Sequence, residues 1–445
     1  MSTIRSGVVT LLHTACGAGI LAIPYAFRPF GLVPALFMLS FCGMCSMMGL
    51  LLQARIAKYG PLKKVSFFTL AQVVNPALSV VFDAAIAIKC FGVGVSYMIV
   101  VGDLMPKIWA NLTSSSVLHS RGFNITIIMA FVVGPLCFMR SLNSLRYASM
   151  IAIGSVAYLC ILVIVHFVHV TPELEELKGE VALWLPRNEP TPLTTLPIFV
   201  FAYTCHHNMF SVINEQKNSN FTHVKFIAVF AIVVAFFLYI TIGTAGYLTF
   251  GDNITGNIIA LYPNTLSTTI GRIAIVLLVM LAFPLQCHPA RESINNMVKY
   301  YQERTSPSQG NYEMTAVDQH TSVEETTHDT SSLSPLPTEE KEQMDNKRFL
   351  LITTIILVFS YLLAISVSSL ARVLAIVGAT GSTTISFILP GFFGWRLIGT
   401  EYDTSTGGLK STTKLFKYLG LVMAFWGVIV MITSLIASIF FGASH

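Results

Sequence analysis

The first apolar segment of the chain contains two glycines, Gly17 and Gly19, one residue apart near its middle. Each glycine costs a helix about 1 kcal/mol relative to alanine. Inside a lipid bilayer, the backbone groups that a helix break frees cost several kcal/mol unless protein or a water-filled cavity satisfies them. A break at mid-depth therefore predicts a discontinuous membrane helix whose open ends line a binding site, an arrangement typical of transporters.

The composition excludes an ordinary soluble domain. Charged residues make up 11% of the 445 residues and hydrophobic residues 54%, whereas soluble proteins contain about 25% charged residues. We therefore predict an all-α membrane protein, with apolar runs long enough for eleven spans of about 20 residues. The predicted spans lie near residues 6–28, 32–55, 79–105, 124–140, 147–169, 194–214, 224–248, 268–290, 348–370, 372–396 and 415–441.

One long polar segment divides the predicted spans into two groups. Residues 1–300 hold spans one to eight, and residues 347–445 hold spans nine to eleven of the same transporter domain. The segment between them, 301–346, is rich in Ser, Thr, Glu and Asp and cannot bury enough apolar surface to fold. We predict a disordered cytoplasmic loop, which either binds cytoplasmic regulators or serves only as a spacer.

The distribution of Lys and Arg among the connections predicts the orientation in the membrane. Cytoplasmic loops carry an excess of these residues, and placing Met1 in the cytoplasm puts most of them there. The second connection carries Arg55, Lys58, Lys63 and Lys64, whereas the fifth is acidic, with Glu173, Glu175, Glu176, Glu180 and Glu189. An odd number of spans then predicts a C-terminus on the non-cytoplasmic side.

The sixth predicted span is also interrupted, by polar or semi-polar residues where a lipid-facing helix would be apolar. The interruption runs through Tyr203, Thr204, Cys205, His206, His207 and Asn208. Spans one and six each begin a group of five helices, and interrupted helices in matching positions indicate the binding site of an inverted-repeat transporter. Taken alone, each motif could instead be a close helix contact or a polar patch facing the bundle.

The first break predicts the chemistry of the ligand. The amides of Gly17, Ala18 and Gly19 begin a half-helix, whose positive dipole end favours an anion such as a carboxylate. The carbonyls of Leu12–Ala15, which include that of Thr14, and those of the Tyr203–Cys205 stretch favour a cation such as an ammonium group. An amino acid presents both charges, although other small zwitterions or carboxylates fit the same pattern.

Four motifs together resemble the amino acid/auxin permease family. They are Gly17–Phe27, Phe201–His206 with Asn214 and Glu215, Gly246–Asp252, and Phe283–Arg291. The resemblance implies a LeuT-type fold of eleven transmembrane helices, built from two inverted five-helix repeats plus one extra helix, and it implies a transporter rather than an enzyme.

A further stretch narrows the resemblance within the family. Residues 88–103 look like the yeast vacuolar amino acid transporters, and most like the branch that exports acidic amino acids from the vacuole. This similarity implies proton-driven movement of amino acids, aspartate or glutamate among them, from the vacuolar lumen to the cytosol. It also implies a multi-pass protein of the vacuolar membrane, with a cytoplasmic N-terminus and a lumenal C-terminus.

Two positions bear on the coupling ion. Where sodium-coupled relatives carry an Asn and a Thr at a sodium site, this chain carries His13 and Ala282. Losing two oxygen ligands argues against sodium, which is a hard cation, and His13 introduces a group that titrates near pH 6.5 when unperturbed. We therefore predict a proton as the coupling ion, with His13 or His206 as the proton-coupling residue. We predict neither a cofactor nor a nucleic-acid partner.

Lys89 lies near mid-depth of the third span, where a charge costs about 3 kcal/mol or more. It is either a structural partner of Asp83 or a site for an acidic side chain or a proton. Metal binding is unsupported, since Cys42 and Cys45 lie on an apolar helix without a nearby His. The predicted substrate-binding residues are Thr14, Gly17, Ala18, Gly19, Lys89, Tyr203, Thr204 and Cys205.

Two alternatives to vacuolar export remain open at this point. An amino acid sensor would bind its ligand without net transport and signal through the cytoplasmic loop 301–346. A plasma-membrane importer would use the same site and topology in a different membrane.

Overall fold

A computed structural model describes most of the chain as a bundle of helices, and the residues it describes include no β-strand. The described residues are 4–140, 148–186, 191–216, 220–305, 344–400 and 411–440. The first nine helices are α1 (Ile4–Ala15), α2 (Gly19–Phe27), α3 (Leu32–Ile56), α4 (Phe67–Val74), α5 (Leu78–Ala110), α6 (Arg121–Ile128), α7 (Gly134–Cys137), α8 (Ala148–Val168) and α9 (Pro172–Glu176). The remaining nine are α10 (Leu196–Ala202), α11 (Met209–Glu215), α12 (Phe221–Phe250), α13 (Ile258–Leu261), α14 (Leu266–Thr305), α15 (Asn346–Ser366), α16 (Leu370–Val377), α17 (Leu389–Leu397) and α18 (Ser411–Phe440).

Eight stretches of helix among the described residues are long and apolar enough to cross a membrane. Helices α1 and α2 give a ninth when they are counted as one span bent by 55°. The run Arg121–Cys137 is shorter, and α10 and α11 have seven residues each. Every predicted span contains helix, while the count of eleven and the inverted repeats remain predictions.

Helices α5 and α14 form the centre of the bundle. Of the apolar part of α5, 78% is buried, whereas only 28% of the apolar part of α18 is. Gly94 allows close packing because a Cβ there would lie 3.1 Å from the Phe283 ring. Helix α14 has 40 residues, about 60 Å of helix against a hydrocarbon core of about 30 Å. It is therefore about twice as long as the hydrocarbon core is thick.

The start of the predicted disordered loop is helical, because α14 continues to Thr305. The loop proper, residues 306–343, lies outside the described residues.

The odd-numbered connections meet at one end of the bundle, which we call the outer face. Lys107 Nζ donates to the Ala260 carbonyl at 2.6 Å, and an Arg121 guanidinium nitrogen donates to the Val367 carbonyl at 3.1 Å. Gly31 has φ 75°, a left-handed conformation that suits glycine. A Cβ at that position would lie 2.2 Å from a backbone oxygen.

The even-numbered connections meet at the opposite end, the inner face. Asn214 bonds both backbone groups of Val65, accepting at 3.0 Å and donating at 2.8 Å. The Gly399 amide donates to the Tyr59 hydroxyl at 3.1 Å. The contacts therefore bring odd-numbered connections together at one face and even-numbered connections at the other, as the predicted order of the spans requires.

Candidate functional site

The first helix is broken where the two glycines predict it. Helix α1 ends at Ala15, and α2 begins at Gly19. The Gly17 amide donates to the Ala15 carbonyl at 2.9 Å, a tight turn outside the regular helix. Within the described part of the chain, the amides of Ala18 and Gly19 have no hydrogen-bond acceptor. Two donors at a helix start are therefore available to an anion.

The second break separates α10 from α11. Tyr203, Thr204 and Cys205 are not helical, and His206–Asn208 form a single 3₁₀ turn before α11 begins. The Thr204 hydroxyl donates back to the Val200 carbonyl at 2.8 Å, which satisfies one acceptor that the break frees. The polar residues from Tyr203 to Asn208 are therefore the ones that interrupt the helix.

Direct side-chain contacts join the two breaks. Asn208 Nδ2 donates to Thr14 Oγ1 at 2.8 Å. The Tyr239 hydroxyl, from α12, lies 2.9 Å from the Ala15 carbonyl oxygen and 2.7 Å from that of Ala202. A hydroxyl carries one proton, so it donates to one of these carbonyls at a time. Tyr239 therefore lies between the ends of α1 and α10, the two half-helices that precede the breaks, and can bond to the last carbonyl of either.

Helix α3 holds the second break from the other side. Ser46 Oγ donates to the Tyr203 carbonyl at 3.0 Å, and Gln53 Nε2 donates to the His206 carbonyl at 3.1 Å. His206 Nε2 lies 3.0 Å from the Ser46 carbonyl, an arrangement in which that nitrogen carries the proton. Gly49, on the same face, lets the helix approach this closely.

Replacing Gly49 with alanine is expected to lower the free energy of unfolding by about 2 kcal/mol or more, because overpacked cores cost this much. The added Cβ would lie 2.2 Å from the Ser386 carbonyl oxygen and 2.7 Å from His206 Nε2. Thermal unfolding in detergent measures the loss. Gly154→Ala is the control, since nothing lies within 4 Å of its Cβ, and an unchanged melting temperature for Gly49→Ala would contradict the packing described.

Lys89 is buried, with 2% of its surface exposed, and its partners come from two distant segments. Its ammonium nitrogen lies 3.1 Å from His207 Nε2 and 3.3 Å from Gln286 Oε1. An ammonium has three hydrogens and no acceptor, so His207 Nε2 accepts and its proton lies on Nδ1. Two of the three hydrogens then have acceptors, and no described carboxylate pairs with the third. The alternative of an Asp83 partner is wrong: Asp83 instead accepts from Asn296 at 3.5 Å.

A small polar cavity lies between the breaks, α5 and α14. It has room for about one water molecule, so an amino acid could enter only if the surrounding helices moved apart. Its lining residues are Thr14, Ala15, Gly17, Ala18, Lys89, Val93, Tyr97, Phe201, Thr204 and Gln286.

Five of the predicted substrate-binding residues line this cavity, and three do not. Gly19 packs against Phe201, with a hypothetical Cβ 3.0 Å from the ring. Tyr203 and Cys205 are fully buried in the packing around the break. The residues brought together at the cavity are Thr14, Gly17, Ala18, Lys89 and Thr204.

Neither predicted proton-coupling histidine lines the cavity. His206 is fully buried and directed toward α3, while His13 lies on α1, two residues before its end. The neighbouring His207 contacts Lys89 instead, because adjacent residues in a helical turn face different directions.

Three residues that contact the site were not predicted from the sequence as binding residues. Gln286 and Tyr97 line the cavity, and Tyr239 joins the breaks. The sequence could have indicated Gln286 as a binding residue, since it is a lone amide in an apolar stretch within a family motif. Tyr239 carried none, because a tyrosine in an apolar helix is common at interfaces.

Metal binding has no structural support in the described segments. They contain no group of three or more His, Cys, Asp or Glu residues that could hold an ion. Cys42 and Cys45 are free thiols on α3.

A bundle of membrane-length helices in which two interrupted helices meet at a buried polar cavity defines a membrane transporter of small solutes. The family described as transmembrane amino acid transporter protein matches residues 1–433. The chain belongs to this family, whose members are transporters and not enzymes.

Two kinds of amino acid transporter are among the relatives that are similar to the chain. Vacuolar amino acid transporter 6 of Saccharomyces cerevisiae is 57% identical over 99% of both chains. Vacuolar amino acid transporter 5 of the same yeast is 54% identical over 100% of this chain and 99% of its own. Sodium-coupled neutral amino acid transporter 7 of Homo sapiens is 23% identical over 88% of this chain and 78% of its own.

Proposed function

We propose that the protein is a proton-coupled transporter that moves amino acids, acidic ones among them, from the vacuolar lumen to the cytosol. The observation that carries this proposal is the meeting of both helix breaks at one cavity, beside two free amides and a buried ammonium. The yeast relatives carry vacuolar amino acid transport in their names, which supports the membrane and the substrate class. For export from the vacuole we place the inner face and the N-terminus in the cytoplasm and the C-terminus in the lumen.

The site offers a complementary group to each charge of an acidic amino acid. The α-carboxylate would accept from the amides of Ala18 and Gly19, at the start of α2. The α-ammonium would donate to the Ala15 carbonyl and the Thr14 hydroxyl, which lie on the other side of the break. A second carboxylate would accept the remaining hydrogen of Lys89, a charge-assisted bond that neutral substrates cannot make.

The Lys89 and His207 pair is our candidate for proton coupling, in place of His13 and His206. Both side chains are basic and 3.1 Å apart, so a second proton on the pair would produce two adjacent positive charges. An anionic substrate beside Lys89 would offset that repulsion. Substrate and proton would then favour each other's binding in the acidic lumen, and both would leave together in the cytosol.

Sodium is the alternative coupling ion, because the human relative is named as a sodium-coupled transporter. His13 and Ala282 offer no oxygen ligands from their side chains, which favours the proton.

Flux by the purified chain in liposomes tests the proposal. Labelled aspartate is expected to move down an imposed pH gradient, from the acidic to the neutral side, whether or not sodium is present. Loss of flux in the absence of sodium, or flux that persists unchanged after the gradient is collapsed, would contradict proton coupling. Saturable binding without any flux would instead favour a sensor.

A further inference from the structure

A second and larger cavity opens at the outer face. Its volume is about 420 Å³, far more than the central cavity offers, and it takes its lining from four separate parts of the chain. These are the end of α2, the last turns of α5, the segment 254–260 and the segment 368–371, which leads into α16. None of the residues discussed for the central site lines it.

The charges that line the outer cavity are mostly positive. Arg28 and Lys107 contribute two cations, and Asp103 contributes the one carboxylate of the described lining. Asp103 is already partnered, with Oδ1 3.7 Å from Arg121 Nε and Oδ2 accepting from Asn257 at 3.4 Å. The described lining therefore carries two cations against one carboxylate, a formal net charge of +1, and Lys107 also interacts with Asp103 and with the Ala260 carbonyl.

Helix α2 connects the two cavities. It begins beside Ala18, which lines the central cavity, and Arg28 follows its last residue. Ten residues of helix correspond to about 15 Å. A solute in the outer cavity is thus about 15 Å from the central site. One amino acid molecule cannot span that distance and occupy both cavities at once.

We propose that the outer cavity is a separate loading site, in which Arg28 and Lys107 bind anionic amino acids before they reach the central cavity. This inference rests on the proposed function for its substrate and orientation. A cleft whose lining has a net positive charge concentrates anions, and clefts lined wholly by one sign do so by about tenfold or more. Aspartate and glutamate carry a net negative charge, so they gain from this field, whereas alanine carries none.

The test is the double variant R28Q/K107Q, reconstituted and supplied with substrate from the outer face. The Michaelis constant for aspartate is expected to rise about tenfold at low salt, with little change in the rate at saturation. At high salt the difference should shrink, because screening weakens exposed charges. Alanine transport should keep its Michaelis constant, which also shows that the variant is folded.

K178Q is the matched control, since Lys178 is an exposed lysine of the outer face that does not line the cavity. Its Michaelis constant for aspartate should equal that of the unmodified protein. An unchanged value for R28Q/K107Q, or an equal rise for aspartate and alanine, would overturn the loading site.

Binding of labelled aspartate to the purified full chain separates this inference from the proposed function. In a K89Q background the outer cavity should still bind aspartate, and R28Q/K107Q should remove that component and leave only the weakened binding of the central site. This outcome supports the loading site even if no flux is measured, in which case only the transport proposal fails. Aspartate binding that is equal in K89Q and in the triple variant would refute the loading site.

Discussion

Replacing Lys89 with glutamine is expected to reduce kcat/KM for aspartate and glutamate by about 10- to 100-fold, and that for alanine by less than about threefold. Hydrogen bonds to charged groups contribute about 1.5–3 kcal/mol, and each 1.4 kcal/mol is about a factor of ten. Glutamine keeps an uncharged N–H donor and much of the volume of the lysine stem, with its nitrogen one bond closer to the backbone than Lys89 Nζ. It removes the charge that a second carboxylate would meet, while His207 remains able to take up a proton, so that alanine transport should keep its coupling.

The comparison of substrates decides what Lys89 does. Initial rates of labelled aspartate, glutamate and alanine uptake, measured on the same liposomes, give the selectivity directly. K225Q serves as the control, because Lys225 is an exposed lysine of α12 and its loss should not change the uptake rate of any of the three substrates. An equal loss of all three substrates in K89Q would show that the buried ammonium supports the packing of the site rather than its selectivity.

Replacing Tyr239 with phenylalanine is expected to slow transport of every substrate by about tenfold or more. The hydroxyl lies within hydrogen-bond distance of the carbonyls of Ala15 and Ala202, one from each break. Without it, a buried acceptor loses its partner, which costs about 1–3 kcal/mol. The two breaks also lose their common anchor, and small misplacements of a binding group can reduce rates about 100-fold.

Unfolding and transport measured together test this role. Tyr239→Phe should lower the melting temperature and reduce aspartate and alanine uptake by the same factor, since the hydroxyl contacts two backbone carbonyls and the Cys16 thiol, none of which distinguishes the two substrates. Tyr158→Phe is the matched control: it removes a hydroxyl that donates to the Ser267 carbonyl at 2.8 Å, at the outer face. Equal effects of the two variants on transport would show that Tyr239 has no special role at the breaks.

The positions of both breaks could be predicted from the sequence, and the family match confirms the class of protein. Gly17 and Gly19 disfavour helix at one place, and the polar run from Tyr203 to Asn208 does so at another. Both signals are local, because backbone preferences and the cost of polar groups in lipid act within a few residues. The same reasoning identified Lys89 as a residue that needs a partner inside the protein.

The partners themselves could not be predicted, since they come from distant parts of the chain. Lys89 contacts His207 and Gln286, which lie 118 and 197 residues away. The choice between His206 and His207 depends on which face of a single 3₁₀ turn meets α3. No local pattern contains that information, because the rotation of the turn is set by the packing of Gly49 and Ser46 against it.

The sequence by itself determined that this is a membrane protein with two interrupted helices and a buried cation, because each of these features is a local cost that has to be offset inside the protein. The tertiary structure alone decided which groups serve the site. It placed Thr14, Gly17, Ala18, Lys89 and Thr204 around one cavity and directed His206 away from it. The physical reason is that side-chain direction follows from how whole helices pack, and packing joins residues that are remote in the chain.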